Sequence, residues 1–174
     1  YDYNLSKQFF KEFKLPKPNF TLGVKSESSY LQIAKMISSI GPVLEKEKPA
    51  LVVVYGDTNS TLSGAICSTK CKIPTLHIEA GIRSMDPNSP EEQNRKMIDS
   101  VSTYLLCPTM LGVKNLKAEN LNGVYTGDIM LDLYNSVPKI TPKIENNQLV
   151  SKQYYLATIH RQENTNDKKI LEWI

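Results

Sequence analysis

No run of apolar residues in this chain approaches the roughly 20 needed to cross a bilayer, which argues against a membrane-spanning protein. Charge of one sign is also scarce. Twenty-one basic residues against eighteen acidic ones leave a net charge of +3. The lysines are scattered and no basic patch is interleaved with aromatics, so the balance gives no case for a nucleic-acid partner. Cysteine occurs three times, at 67, 71 and 107. An odd number without a secretory context does not build a disulfide scaffold. Cys67 and Cys71 share a helix face, but neither of the two histidines is placed to complete a metal set, so reduced thiols are expected. Tyr1-Asp2-Tyr3 has neither the basic nor the apolar region of a signal peptide, and a cytoplasmic location is expected. Internal repeats and low-complexity segments are missing too.

What remains is the composition of an ordinary soluble globular protein, 40% apolar and 22% charged. The length suits one domain, or one domain with a piece of another. Leu5, Phe9 and Phe13 recur at helical spacing, with Asn4 as N-cap, and predict an amphipathic helix over 4–14. A longer helix is predicted over 28–46, with Tyr30, Ile33, Ala34, Ile37 and Leu44 on its inner side. Gly41-Pro42 should kink or break it. Strands are predicted at 51–55, 75–78, 104–107 and 124–126, each followed by a helix. This alternation indicates an α/β fold with a Rossmann-like parallel sheet. The first strand, apolar throughout, reads as covered on both faces. Within the helices, Leu62, Ala65, Ile66 and Thr69 are expected inward, as are Met97, Ile98 and Val101. Residues 138–152 are polar and proline-punctuated, a linker between a domain over 1–137 and a further segment over 153–174. That segment opens with an apolar run at 154–159.

Residues 51–95 concentrate the chemistry. Two short apolar runs each end in an acid, Asp57 and Glu79, and Glu91-Glu92 opens a helix. In open α/β sheets ligands bind outside the carboxyl ends of the strands. Like charges gathered there repel one another and resist desolvation, which makes them poor filler. Ser89 as N-cap and Pro90 at the first helical position mark the helix start, and Glu92 should close a capping box. Glu91 would then be left to face the cleft. Each residue also has a plainer reading. Asp57 could cap the helix that follows it. Glu91 could be a first-turn acid favoured by the helix dipole. His77, inside its strand, reads as a hydrogen-bonded core histidine, and His160 stands at a strand end.

Taken together, GDT at 56–58, HIEAGIR at 77–83, PEEQNR at 90–95 and HRQEN at 160–164 resemble the non-hydrolysing UDP-N-acetylglucosamine 2-epimerases. YDYN at 1–4, CPT at 107–109 and TGDIMLD at 126–132 fit the same family, in the same order. The resemblance implies the N-terminal half of a glycosyltransferase-B type two-domain fold and the start of its nucleotide-binding domain. It implies interconversion of UDP-N-acetylglucosamine and UDP-N-acetylmannosamine for surface polysaccharide synthesis. UDP would be eliminated to leave a 2-acetamidoglucal, then added back with inversion at C2. Metal, nicotinamide or another cofactor is not implied, and the full-length form is expected to be a homodimer.

The family's acid/base carboxylates fall on Asp57, Glu79 and Glu91, and its histidine near the diphosphate falls on His160. Arg83, Arg95, Glu163 and Asn164 fall on substrate-binding positions. The family opens with a strand and a GTRPE-type loop before YDYN and continues through a second domain after HRQEN. A fragment inactive alone is therefore expected. At 23–33 only Gln32 matches the family's GEQT-type stretch, so a regulatory UDP-sugar site seen in some bacterial members is not carried over. Two other readings stay open: a hydrolysing relative releasing N-acetylmannosamine and UDP, and a non-catalytic remnant that binds sugar nucleotides or a partner chain.

Overall fold

The structure is a computed structural model that describes residues 7–25, 27–137, 155, 157–159 and 168–173. The chain divides into two compact units, Tyr1–Ser136 and Val137–Ile174. In the first unit, β1 (Val52–Tyr55), β2 (Thr75–Ile78), β3 (Tyr104–Cys107) and β4 (Gly123–Tyr125) form one sheet in the order β1-β2-β3-β4. All neighbours are parallel, with Tyr55 beside Ile78, Ile78 beside Leu106 and Cys107 beside Tyr125. The helices α3 (Asn59–Lys70), α4 (Pro90–Val101) and α5 (Met110–Ala118) make the crossovers. Two short helices lie at the ends of the unit, α1 (Lys7–Glu12) and α6 (Ile129–Ser136), and α2 (Ser29–Glu47) packs on α3. Of the second unit, α7 (Lys168–Trp173) is described. The expected linker over 138–152 and residues 154 and 156 of the apolar run lie outside the described residues.

The sheet departs from its sequence reading in one respect. Val54, Thr75, His77, Leu105 and Cys107 are buried, whereas Val53, Tyr55 and Tyr104, on the alternate face, are exposed. Successive strand residues point to opposite faces. Among the described residues the crossover helices thus cover one face of the sheet, so β1 is covered on one face and not on both as its apolar run predicts. Val54, Leu62, Ala65 and Ile98 form one core cluster. Ala80, Leu105, Cys107 and Leu116 form a second. Burying a side chain such as Ile98 or Leu116 completely contributes about 1.5–3 kcal/mol.

The helices follow their sequence signals with local corrections. α2 runs unbroken through Pro42. Its packing against α3, where Gly41 faces the Cys67 sulfur, offsets the one missing backbone bond. Tyr30 and Ala34 are exposed and Met36 is buried in their place. On α3, Leu62 and Ala65 are buried as expected, but Thr69 is exposed. On α4, Ile98 is buried while Met97 is exposed, and the charged Asp99 lies inside. Phe9 of α1 and Phe13 just beyond it stack at 6.1 Å, in keeping with their i, i+4 spacing.

Candidate active site

Three strand exits lie at one edge of the sheet, because the strands are parallel. β1 leaves through Gly56-Asp57, β2 through Glu79-Ala80-Gly81, and β4 through Thr126-Gly127-Asp128. The pairing of Tyr55 with Ile78 sets the first two turns side by side. Gly56 donates its N–H to the Ile78 carbonyl at 3.1 Å. A Cβ on Gly56 would stand 3.3 Å from a Glu79 carboxylate oxygen.

Asp57 is not the helix cap. Thr58 takes that position, its hydroxyl accepting from the Thr61 amide. The Asp57 carboxylate is thereby released to Arg95 of α4, with Nη2 2.5 Å from Oδ2. Its backbone carbonyl accepts from Asn94 Nδ2 at 2.8 Å. Adjacent residues of α4 therefore hold Asp57 by main chain and by side chain.

Glu79 is half-buried and adopts φ 75°, a left-handed backbone conformation costly for a residue with a side chain. Strain of about 1–3 kcal/mol at such a residue persists only where its surroundings enforce it, and it clusters at functional sites. Burial pushes the Glu79 carboxyl up, and the negative charges of Asp57 and Asp128 push it further. Arg95 and His77 act in the opposite direction. A carboxyl group pushed upward, beside a carboxyl paired with arginine, is the asymmetry that divides acid and base roles. Asp128, which acts on Glu79 through its charge and accepts from the Met130 amide at 2.8 Å, was not among the predicted site residues. Its position after β4 at the same sheet edge is the signal that could have found it.

The two acids that open α4 differ in their surroundings, and the expected capping box does not form. Glu91 is exposed and accepts from the hydroxyl of the N-cap residue Ser89 at 2.8 Å. It sits one helical turn before Arg95, so the two share a side of α4. Glu92 is 1% exposed. Its backbone N–H is capped by Ser89, but its carboxylate does not close a capping box. It accepts from the amide and hydroxyl of Ser84, at 2.7 and 3.0 Å, and has Arg95 Nη1 at 3.7 Å. Burial pushes this carboxyl up, yet the Ser84 bonds, with Lys96 and Arg83, leave it below the ordinary range.

Arg83 is another correction. Its side chain is 2% exposed and fully engaged. Nε and Nη2 clasp Glu119 at 2.8 and 2.6 Å, and Nη1 donates to Asp99 at 2.8 Å. The Glu119 bonds, with further help from Asp99, push the guanidinium well up. It is a framework cation, not the sugar-pocket residue that the resemblance implies. His77 is the hydrogen-bonded core histidine its strand position predicts, 0% exposed and bonded to Asp99 and to the Gly56 carbonyl. The structure thus brings together Asp57, Glu79 and Arg95, and sequence reasoning missed Asn94, Asp99 and Asp128 around them. His160, Glu163 and Asn164 lie outside the described residues.

Comparison with known proteins identifies the family. The family model described as UDP-N-acetylglucosamine 2-epimerase matches residues 1–174. A UDP-N-acetylglucosamine 2-epimerase homolog of Methanococcus maripaludis is 44% identical, over 99% of this chain and 50% of the relative. The UDP-2,3-diacetamido-2,3-dideoxy-D-glucuronate 2-epimerase of Pseudomonas aeruginosa is 41% identical, over 96% of this chain and 48% of its own length. The chain therefore spans about half the length of the curated relatives it matches. A crystal structure of Methanocaldococcus jannaschii UDP-GlcNAc 2-epimerase in complex with UDP-GlcNAc and UDP is similar at 41% identity and a TM-score of 0.87. It is matched over 99% of this chain and 49% of that one. The four-stranded parallel sheet is thus part of a glycosyltransferase-B type α/β fold. Matched end to end by sequence and over nearly all its length by structure, the chain belongs to the UDP-N-acetylglucosamine 2-epimerase family, a family of isomerases.

Proposed function

We propose that these residues form the acid/base half of a non-hydrolysing UDP-N-acetylglucosamine 2-epimerase. The observation that carries this reading is the pairing of Asp57 with Glu79 at adjacent strand exits. One carboxylate is held by Arg95, while the other is driven toward its protonated form by burial and by its acidic neighbours. Epimerisation at C2 needs a base to remove one proton and a second group to return it to the opposite face. Asp57, paired with Arg95, suits the base, and Glu79, its carboxyl pushed up by burial, suits the proton carrier.

Loss of the C2 proton and rupture of the C1–O bond form the C1–C2 double bond and release UDP. Re-addition on the other face reverses both changes. Departing UDP gathers negative charge, so nearby cations lower the barrier. Arg95 is one such cation, and His160 is assigned a second by the resemblance. Glu91, one turn before Arg95, is the third acid of the set, and Glu163 and Asn164 complete the substrate contacts. In this reading 1–137 forms the sugar-side domain, 138–152 a linker and 153–174 the beginning of the nucleotide-binding domain. No helix among the described residues is long and apolar enough to cross a membrane, which suits a cytoplasmic enzyme acting on a nucleotide sugar, as a homodimer.

The 41% identical relative named for a diacetamido-glucuronate supports a second substrate reading, in which the hexose carries a 3-acetamido group and a carboxylate. Incubation of the protein containing these residues with each UDP-sugar in deuterium oxide separates the readings. Deuterium at C2 and a UDP-linked 2-epimer are expected with UDP-N-acetylglucosamine. Free N-acetylmannosamine would indicate the hydrolysing reaction, exchange with the glucuronate alone would indicate the second substrate, and exchange with neither overturns the assignment.

A further inference from the structure

His77 lies on the covered face of β2 with no accessible surface. Its Nε2 is 2.8 Å from the Gly56 carbonyl oxygen and its Nδ1 is 2.7 Å from Asp99 Oδ1. A peptide carbonyl can only accept, so Nε2 carries a hydrogen. A neutral imidazole has one N–H, and Nδ1 would then turn a lone pair toward a carboxylate oxygen. A proton must lie between them.

The rest of the network decides where it sits. Asp99 Oδ2 accepts from the Gly81 amide at 3.1 Å and from Arg83 Nη1 at 2.8 Å. That is the bonding pattern of a carboxylate, with a guanidinium alongside to favour its charge. The proton therefore resides on the ring. We infer that His77 is held doubly protonated in the core, a positioning residue that ties the exits of β1 and β2 together beneath the Asp57–Glu79 pair.

Three consequences follow from the placement. The Gly56 carbonyl that His77 grips belongs to the residue before Asp57, and the Gly56 backbone packs against the Glu79 carboxylate. Through Asp99, the same ring fixes the amide of Gly81, two residues beyond Glu79. One imidazolium thus sets the spacing of the two acids. Its positive charge also opposes the rise in the Glu79 carboxyl. The charged and titratable groups around it are Asp99 of α4, Glu79 and Arg83 after β2, Cys107 of β3, and Glu119 beyond α5 through Arg83. For its catalytic consequence the inference rests on the epimerase reading. For the protonation state it does not.

The test uses ring-nitrogen NMR on ¹⁵N-histidine-labelled protein. The His77 ring nitrogens are assigned by through-bond correlation to the residue's own backbone amide. Two protonated ring nitrogens at neutral pH are expected. One protonated and one bare nitrogen at neutral pH would overturn the inference. Asp99→Asn offers an amide donor to Nδ1, so there the ring should lose a proton; retention of both protons also overturns it.

His77→Gln can bond one acceptor and carries no charge. A fall in kcat of about tenfold or more is expected, the scale of a lost acid/base alignment, with KM within about twofold and the acid limb of the pH–rate profile moved to higher pH. An unchanged profile and rate would refute the positioning role. A variant that does not fold leaves the decision to the two NMR experiments. Absence of turnover in the parent counts against the epimerase reading and leaves the NMR outcomes decisive here.

Discussion

Gly81→Ala should be among the most damaging single-methyl additions to this protein, and the geometry says by how much. Gly81 has φ +79°, and a Cβ there would lie 2.4 Å from the Gly112 carbonyl oxygen and 2.7 Å from its carbon. Both are backbone atoms of α5, which cannot rotate aside. The left-handed conformation alone costs an alanine about 1–2 kcal/mol. Overpacking against a fixed neighbour adds about 1–3 kcal/mol. Displacing the loop also strains the bonds from the Gly81 amide to Asp99 and from Asn115 to the Gly81 carbonyl, each worth about 0.5–1.5 kcal/mol. A total of about 3–8 kcal/mol is expected, against an unfolding free energy of about 5–15 kcal/mol for a typical domain. Gly127→Ala is the internal control. Its φ is +89°, but nothing stands within 4 Å of the added carbon, so about 1–2 kcal/mol is expected. Urea denaturation of both variants, with unchanged slope, measures the difference. Equal costs for the two, or a Gly81→Ala change within about 0.5 kcal/mol of the parent, would show that α5 does not press on this loop.

Glu79→Gln should abolish turnover yet stabilise the fold at neutral pH by about 0.5–2 kcal/mol, the usual gain when a functional site is relaxed. The carboxyl is raised in the folded state, so its stabilising proton is present below the ordinary carboxylate value and lost as pH rises through the raised one. The advantage in Tm over the parent should accordingly be near zero in mild acid and grow toward neutrality. A constant advantage at all pH values would contradict the electrostatic account. Arg83→Ala should cost about 3–5 kcal/mol, because it leaves Oδ2 of the buried Asp99 without its guanidinium partner. Glu119→Gln, at a side chain 36% exposed, should cost no more than about 1 kcal/mol after solvent screening. Glu119 is held below the ordinary range by Arg83, so this smaller term should vanish as pH falls through the depressed value. Thiol labelling at about pH 8, near the free cysteine value, should modify Cys71 first. Cys107 is buried with its thiol pushed up to about 11, and Cys67 is buried and raised as well. Mass spectrometry finding Cys107 labelled before Cys71 would refute the assigned packing.

The amino-acid order by itself determined every element whose signal is local. Strands 75–78 and 104–107 are apolar runs bounded by turn residues and appear with those bounds. Ser89 and Pro90 start α4 as their chemistry requires. The acids that follow β1 and β2 could be paired from sequence because parallel strands share one carboxyl edge, and the family could be named from motifs that lie along the chain. Only the tertiary structure decided which polar groups meet. Arg83 finds Glu119 at a separation of 36 residues and Asp99 at 16, and no local pattern reports such partners. Thr58 displaced Asp57 as the cap, and Glu92, not Glu91, turned inward, because each choice depends on what Arg95 and Ser84 offer across space. Neighbouring identical acids are indistinguishable to helical periodicity. Burial and the hydrogen-bond donors around them set them apart, and these exist only once the chain has folded.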